Sequence, residues 1–170
     1  LMALVLTCGM LQPCSAAEGI TNKAEAADPV YKGIDVTSFV EVNDWFKVAQ
    51  EIDFAILRVG KKLSYDTKFV ANVKGCVDNA IPYGVYYVPS AVSAEDAQVE
   101  AEWVISALKG YQIDLPVFLH VDNLVKNVPA EELQAVVSAF CDAVCEAGYK
   151  PGLYAYVSIM EEHFSEGYYN

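Results

Sequence analysis

Two carboxylates and a histidine stand where strands are expected to end. Asp35 lies in Gly33-Ile34-Asp35-Val36-Thr37-Ser38, and His120 and Asp122 lie in Leu115-Pro116-Val117-Phe118-Leu119-His120-Val121-Asp122-Asn123. The second stretch reads as a buried strand closing on a polar cluster, and strand alternation would put Phe118, His120 and Asp122 on one face. Arg58, Tyr87 and Tyr156 end other apolar runs in the same way. Polar side chains at the C-terminal ends of parallel strands converge on one rim, where α/β folds place their chemistry. Two carboxyls from different strands, with aromatic neighbours, are what acid/base cleavage of a glycosidic bond requires. One must stay protonated to serve the leaving oxygen while the other stays charged. Acids at strand ends are also common loop caps, so residue type and spacing leave both readings open.

No metal or cofactor is expected. His120-x-Asp122 alone is a poor ligand set, and the other histidine, His163, falls on a separate expected helix. Cys76, Cys141 and Cys145 have no Cys or His pair facing them at zinc spacing. Cys141 and Cys145 sit on adjacent turns of an expected helix, a geometry that rarely suits a disulfide. All three read as small buried hydrophobes.

The elements that must position these residues alternate strand and helix. Strands are expected over residues 31–38, 53–60, 81–88, 115–123 and 152–158. Helices are expected over about 44–51, 66–79, 93–108, 129–147 and 159–164. In the first, Trp45 and Val48 should face inward; in the second, Phe69, Val70, Val73 and Val77 recur at helical spacing. Ser93-Ala94-Glu95-Asp96 is a helix start with acids in its first turn, Pro129 opens a long helix, and Gly148 stops it. Five strands separated by helices imply a parallel sheet with right-handed crossovers. An open doubly wound sheet and a β/α barrel both fit that pattern. No glycine-rich phosphate fingerprint follows a strand, which argues against a nucleotide-binding domain.

The chain has 170 residues, enough for one domain with a sizeable core. Its net charge is −12, and no basic patch of the kind a nucleic-acid binder needs is visible. A sugar polymer would instead be held by hydrogen bonds and stacking. Residues 1–17 are uncharged, with an apolar run to Leu11 and a small-residue site at Ser15-Ala16-Ala17. This is the pattern of a secretory signal, too short for a membrane span of ~20 residues. A basic leading segment is missing and the first residue is Leu, so the true start is expected upstream. Residues 18–30 read as a linker, and 31–170 as the domain.

Gly33-Ile34-Asp35-Val36-Thr37-Ser38, Asp44-Trp45 and Ile52-Asp53-Phe54-Ala55-Ile56-Leu57-Arg58-Val59-Gly60 together resemble the opening of glycoside hydrolase family 25. Ile81-Pro82-Tyr83-Gly84-Val85-Tyr86-Tyr87, Leu115-Pro116-Val117-Phe118-Leu119 and Pro151-Gly152-Leu153-Tyr154-Ala155-Tyr156-Val157-Ser158 extend the likeness from about Tyr31 to Phe164. The resemblance implies an α/β fold, a TIM-like β/α barrel of this family's type that is incomplete at its C-terminus. It implies a secreted enzyme hydrolysing the bond between N-acetylmuramic acid and N-acetylglucosamine in peptidoglycan. Asp35 matches the family's first-strand Asp. On the fourth strand the family carries Asp, one residue, then the Glu that acts as acid; here those positions hold His120 and Asp122. The Asp122 stem is one methylene shorter, and a displacement of ~1 Å can cost on the order of 100-fold in rate. A charged His120 would favour ionised Asp122, the wrong state for an acid.

The resulting expectation is an impaired or re-tuned wall hydrolase. Asp122 is the candidate acid and Asp35 the candidate base or electrostatic stabiliser. Arg58, Tyr87, His120 and Tyr156 are the candidate substrate-binding residues. The competing expectation is a peptidoglycan-binding domain that kept the cleft and lost the acid.

Overall fold

The computed structural model describes residues 30–164 of the chain. The signal and most of the linker expected over residues 1–30, with Cys8 and Cys14, lie outside the described residues. The elements run β1 (Gly33–Val36), α1 (Trp45–Val48), β2 (Phe54–Lys61), β3 (Ser64–Tyr65), α2 (Phe69–Asp78), β4 (Tyr83–Val88), α3 (Ala94–Ala107), β5 (Val117–His120), α4 (Asp122–Asn127), α5 (Ala130–Glu146), β6 (Pro151–Tyr154) and α6 (Val157–His163).

Five strands pair in parallel in the order β1-β2-β4-β5-β6, and the short β3 pairs antiparallel with β2. Each parallel strand lies beside the next in the chain. A doubly wound sheet reverses its order at a switch point, and this sheet has no reversal. That decides between the two expected architectures: the sheet is singly wound, as the successive strands of a β/α barrel are. The described strands do not close a barrel.

The winding sorts the side chains into two cores. Ala55, Leu57 and Val59 of β2, Val85 and Tyr87 of β4, and Val117 and Leu119 of β5 pack against the helices, together with Phe69, Val104, Val137 and Phe140. Each large apolar side chain buried there contributes ~1.5–3 kcal/mol. On the opposite face Phe54, Ile56, Tyr86, Val88, Phe118 and Tyr154 form a smaller cluster that takes in no helical residue. Glycines make room on that face. A Cβ at Gly33 would lie 2.2 Å from the Phe54 ring, and one at Gly152 would lie 2.6 Å from the Phe118 ring. Large rings on one strand thus seat over bare backbone on its neighbour.

Several boundaries differ from expectation, each for a physical reason. Helix α1 is a single turn; Asp44 caps it by accepting from the Lys47 N–H, and Trp45 packs against Gly75 of α2. In α2 the buried side is Phe69, Val73 and Cys76, whereas Val70 and Val77 are exposed, because i+1 and i+8 turn away from that stripe. Two elements were not anticipated. The β2–β3 hairpin turns at Lys62 and Leu63, both with positive φ (50° and 59°), without the Asn or Gly that usually marks such a turn. Helix α4 begins at Asp122, inside the stretch expected to be strand. Among the described residues no helix is long and apolar enough to cross a membrane.

Candidate active site

The face away from the helices carries Asp35, Arg58, Tyr86, His120 and Tyr154 toward the C-terminal ends of their strands. The ladder sets their heights: Asp35 is level with Ile56, Arg58 with Tyr86, and His120 with Tyr154. The Tyr154 hydroxyl donates to Asp35 Oδ2 at 2.9 Å, joining the two outer strands of the described sheet across its concave side. The rings of Tyr86, His120 and Tyr154 lie together, with centroids 5.1 Å apart for His120 and Tyr154 and 5.2 Å for the two tyrosines.

Asp35 is exposed on the open side of the sheet, yet its carboxyl end is crowded by this aromatic trio. Crowding out water pushes the carboxyl above its ordinary value, against the opposing pull of the Tyr154 and Tyr86 hydroxyls and the His120 and Arg58 charges. Burial likewise depresses His120, and it outweighs the attraction of Asp122 and Asp35 for its proton. The imidazole is therefore held toward its neutral form. A charged His120 forcing Asp122 to ionise, the expectation from sequence, does not fit this environment.

Asp122 is not on the strand. The Val121 N–H donates to the Tyr154 carbonyl as a last rung at 3.0 Å, and Val121 then turns into helical conformation. Asp122 becomes the first residue of α4, where a carboxylate suits the helix dipole. The expected strand alternation of Phe118, His120 and Asp122 thus ends at His120. Asp122 nevertheless returns to the cluster: its Oδ2 lies 3.6 Å from His120 Nε2, and its side chain is 9% exposed. Asp122 Oδ1 and His120 Nδ1 are both buried without a hydrogen-bond partner.

The remaining expected residues divide. Arg58 faces the site side, but its guanidinium is committed: Nε and Nη2 reach Asp66 Oδ2 at 2.7 and 2.6 Å, and Nη2 donates to Ser38 Oγ at 2.9 Å. Asp66 also accepts from the Ser38 and Lys68 N–H groups. Burial alone would raise the Asp66 carboxyl, but those hydrogen bonds and Arg58 together hold it below its ordinary value. Arg58 thus shapes the β1–α1 loop, and the exposed Phe39 ring lies 5.1 Å from its guanidinium.

Tyr87 is a correction. It lies fully buried on the helix side, parallel to the Phe140 ring, and its hydroxyl accepts from the Leu63 N–H at 2.8 Å. It braces the hairpin, and its neighbour Tyr86 faces the site. Tyr156 is a second correction: it is half-exposed and precedes α6 as its cap residue, two positions beyond Tyr154, which reaches Asp35. The Tyr87 miss is an error of parity, whereas Tyr156 shares the parity of Tyr154 and lies past the end of the strand. Strands β4 and β6 carry tyrosines on both faces or nearby, and β4 is buried throughout, so no polar alternation marked the inward side. Cys76 and Cys141 are buried free thiols, each pushed up to about 12 by burial. Among the described residues no three His, Cys, Asp or Glu side chains are arranged to hold a metal ion.

The arrangement brings two carboxyls of different origin onto one histidine within an aromatic surface, the inventory needed for acid/base work on a sugar. Comparison with known proteins agrees in kind. The family model described as glycosyl hydrolases family 25 matches residues 34–170. Among solved structures, the modular autolysin LytC from Streptococcus pneumoniae, in complex with a synthetic peptidoglycan ligand, is similar at 26% identity and TM-score 0.70, covering 79% of this chain and 34% of that one. The spore cortex lytic enzyme SleM of Clostridium perfringens is similar at 23% identity and TM-score 0.70, covering 82% of this chain and 48% of that one. A family 25 glycosyl hydrolase from Bacillus anthracis shows 21% identity and TM-score 0.69, covering 89% and 72%. The chain thus spans about a third to a half of the first two structures. No curated protein matches.

Proposed function

Since this chain belongs to the glycosyl hydrolases family 25, we propose that it is a secreted cell-wall hydrolase of the lysozyme type, cleaving the N-acetylmuramic acid–N-acetylglucosamine bond of peptidoglycan. The observation that carries the reading is that Asp122 lies 3.6 Å from His120 while Tyr154, whose ring packs against His120, donates to Asp35. Cleavage needs one carboxyl to protonate the leaving oxygen and another to support the developing positive charge or activate water. Asp122 is the candidate acid and Asp35 the partner. The upward shift at Asp35 favours its protonated form, so the opposite assignment is tested alongside. Tyr86 and Tyr154 are buried and form the floor beneath Asp35 and His120, and Arg58 holds the loop beside them. Secretion is supported by the apolar run ending at Ser15-Ala16-Ala17.

The test is release of reducing ends from purified peptidoglycan by the folded chain, beside Asp122→Asn and Asp35→Asn. Loss of at least 100-fold in either variant identifies an essential carboxyl. No release from protein shown to be folded sinks the hydrolase reading.

One observation favours a second reading, a wall-binding domain without catalysis. The Asp122 side chain is 9% exposed, too enclosed for easy contact with a glycosidic oxygen. That reading requires sedimentation with insoluble peptidoglycan in the absence of any reducing-end release.

A further inference from the structure

Positive charge is scarce in this chain, and its distribution is uneven. Among the described residues, Lys32, Lys47, Arg58, Lys68 and Lys74 each pair with an acid. Lys61, Lys62, Lys109, Lys126 and Lys150 are in no ion pair among the described residues, and of these Lys61 and Lys62 are adjacent. Lys61 and Lys62 line a cavity of about 300 Å³ with Ser90, Asn123 and Asn127, between the β2–β3 hairpin, the β4–α3 loop and α4. Asn123 of the cavity wall directly follows Asp122 at the start of α4, and Lys61 is level with Val88 of the site-side cluster, so the cavity opens beside the carboxyl cluster.

Its walls are held in place. The Lys62 N–H donates to the Val88 carbonyl at 3.0 Å and the Leu63 N–H to the Tyr87 hydroxyl, which keeps two side-chain-bearing residues at positive φ. Such a backbone is strained for a residue with a side chain and persists only where its surroundings enforce it. Across the cavity, buried Glu100 accepts from the Ser90 N–H, the Ser90 hydroxyl and the Ala91 N–H. Its oxygens are thereby occupied, and its charge lies behind the loop rather than in the cavity. Asn127 donates to the Asn123 carbonyl, which orders the α4 side. Two uncompensated ammonium groups in a braced, amide-lined recess favour an anion.

We propose that the Lys61–Lys62–Asn123–Asn127 cavity is an anion subsite that takes a carboxylate carried by the glycan, such as an acidic ether or peptide substituent, and so positions the sugar chain over the carboxyl cluster. The inference rests on the wall-sugar reading above and names a contact that a neutral sugar polymer cannot make. Two lysines supply the charge, and the amide groups of Asn123 and Asn127 supply directional donors.

The test measures binding of the full chain and of its Lys61→Gln/Lys62→Gln variant to two soluble probes. One is a peptidoglycan fragment with free carboxylates, and the other is a neutral N-acetylglucosamine oligomer. Both substituted residues are exposed, and far-UV circular dichroism checks that the variant is folded. The expected result is roughly tenfold weaker binding of the carboxylate probe by the variant, with the neutral oligomer unchanged, and a preference that shrinks as salt is raised. An equal effect on both probes, or on neither, overturns the subsite while leaving the wall-sugar reading intact. Absence of binding to either probe by the parent chain overturns both. Displacement of the carboxylate probe by inorganic phosphate but not by acetate reassigns the cavity to phosphate and overturns the carboxylate proposal.

Discussion

At the scale of single residues, the site turns on what stands at positions 120 and 122. Asp122, which the family resemblance matches to an acid one methylene longer, begins a helix instead of ending a strand. His120, which the same resemblance matches to a carboxylate, is held toward neutrality by burial. If those two changes limit the chemistry, the paired substitution His120→Asp/Asp122→Glu should raise reducing-end release by about 100-fold, since a displacement of ~1 Å costs that much. An unchanged rate would place the limit elsewhere. Tyr154 makes a separate prediction. Its hydroxyl pulls the Asp35 carboxyl down, against burial. Tyr154→Phe should therefore move the Asp35 midpoint further up, as read from its carboxyl carbon shift in an NMR titration. A midpoint that stays or falls would show that the hydrogen bond does not govern this group.

At the scale of elements, the concave face depends on rings seated over glycines. Phe118 on β5 occupies the space where a Gly152 side chain on β6 would be, and Phe54 does the same at Gly33. Gly152→Ala should cost about 1–3 kcal/mol by overpacking, measured by urea unfolding. Gly152→Ala/Phe118→Leu should recover part of it. A cost that persists fully in the double variant would point to the backbone instead of the ring. The same packing explains what could be read in advance. The strands and the long helices α3 and α5 were legible because apolar periodicity and the Ser93, Pro129 and Gly148 signals act locally. Hairpin β2–β3 was not, because Lys62 and Leu63 are held at positive φ by Val88 and Tyr87, residues some 25 positions away. Helix α4 was hidden because Val121 follows an apolar strand and looks like its continuation.

At the scale of the whole molecule, His120, Asp66 and Asp35 each make stability depend on pH. His120 is depressed below its ordinary 6.5, so its contribution is present above that pH and is lost as pH falls through the lowered value. Asp66 is depressed below 3.8, so its contribution is lost only in stronger acid. Asp35 is raised, so the folded state gains relative stability as pH falls toward 3.8 and loses it as pH rises through the raised value. Thermal midpoints should therefore drop below pH 6.5, level off as Asp35 protonates, and drop again below pH 3.8. His120→Gln should flatten the first decline and leave the last unchanged. A first decline that survives in His120→Gln would assign it to another group.

The sequence by itself determined the alternation of strand and helix and the family. Local pattern placed Asp35 and His120 at strand ends, where they are, but it also put Asp122 on the strand, and Asp122 instead opens α4. Which tyrosines face the site, and whether the sheet is singly or doubly wound, only the tertiary structure decided. In a parallel sheet covered by helices, strand residues are apolar toward both sides, so the pattern carries no parity. Only the packing of α2, α3 and α5 on one side defines which face is left for Tyr86 and Tyr154, and only the neighbouring of successive strands brings Asp35 within reach of Tyr154.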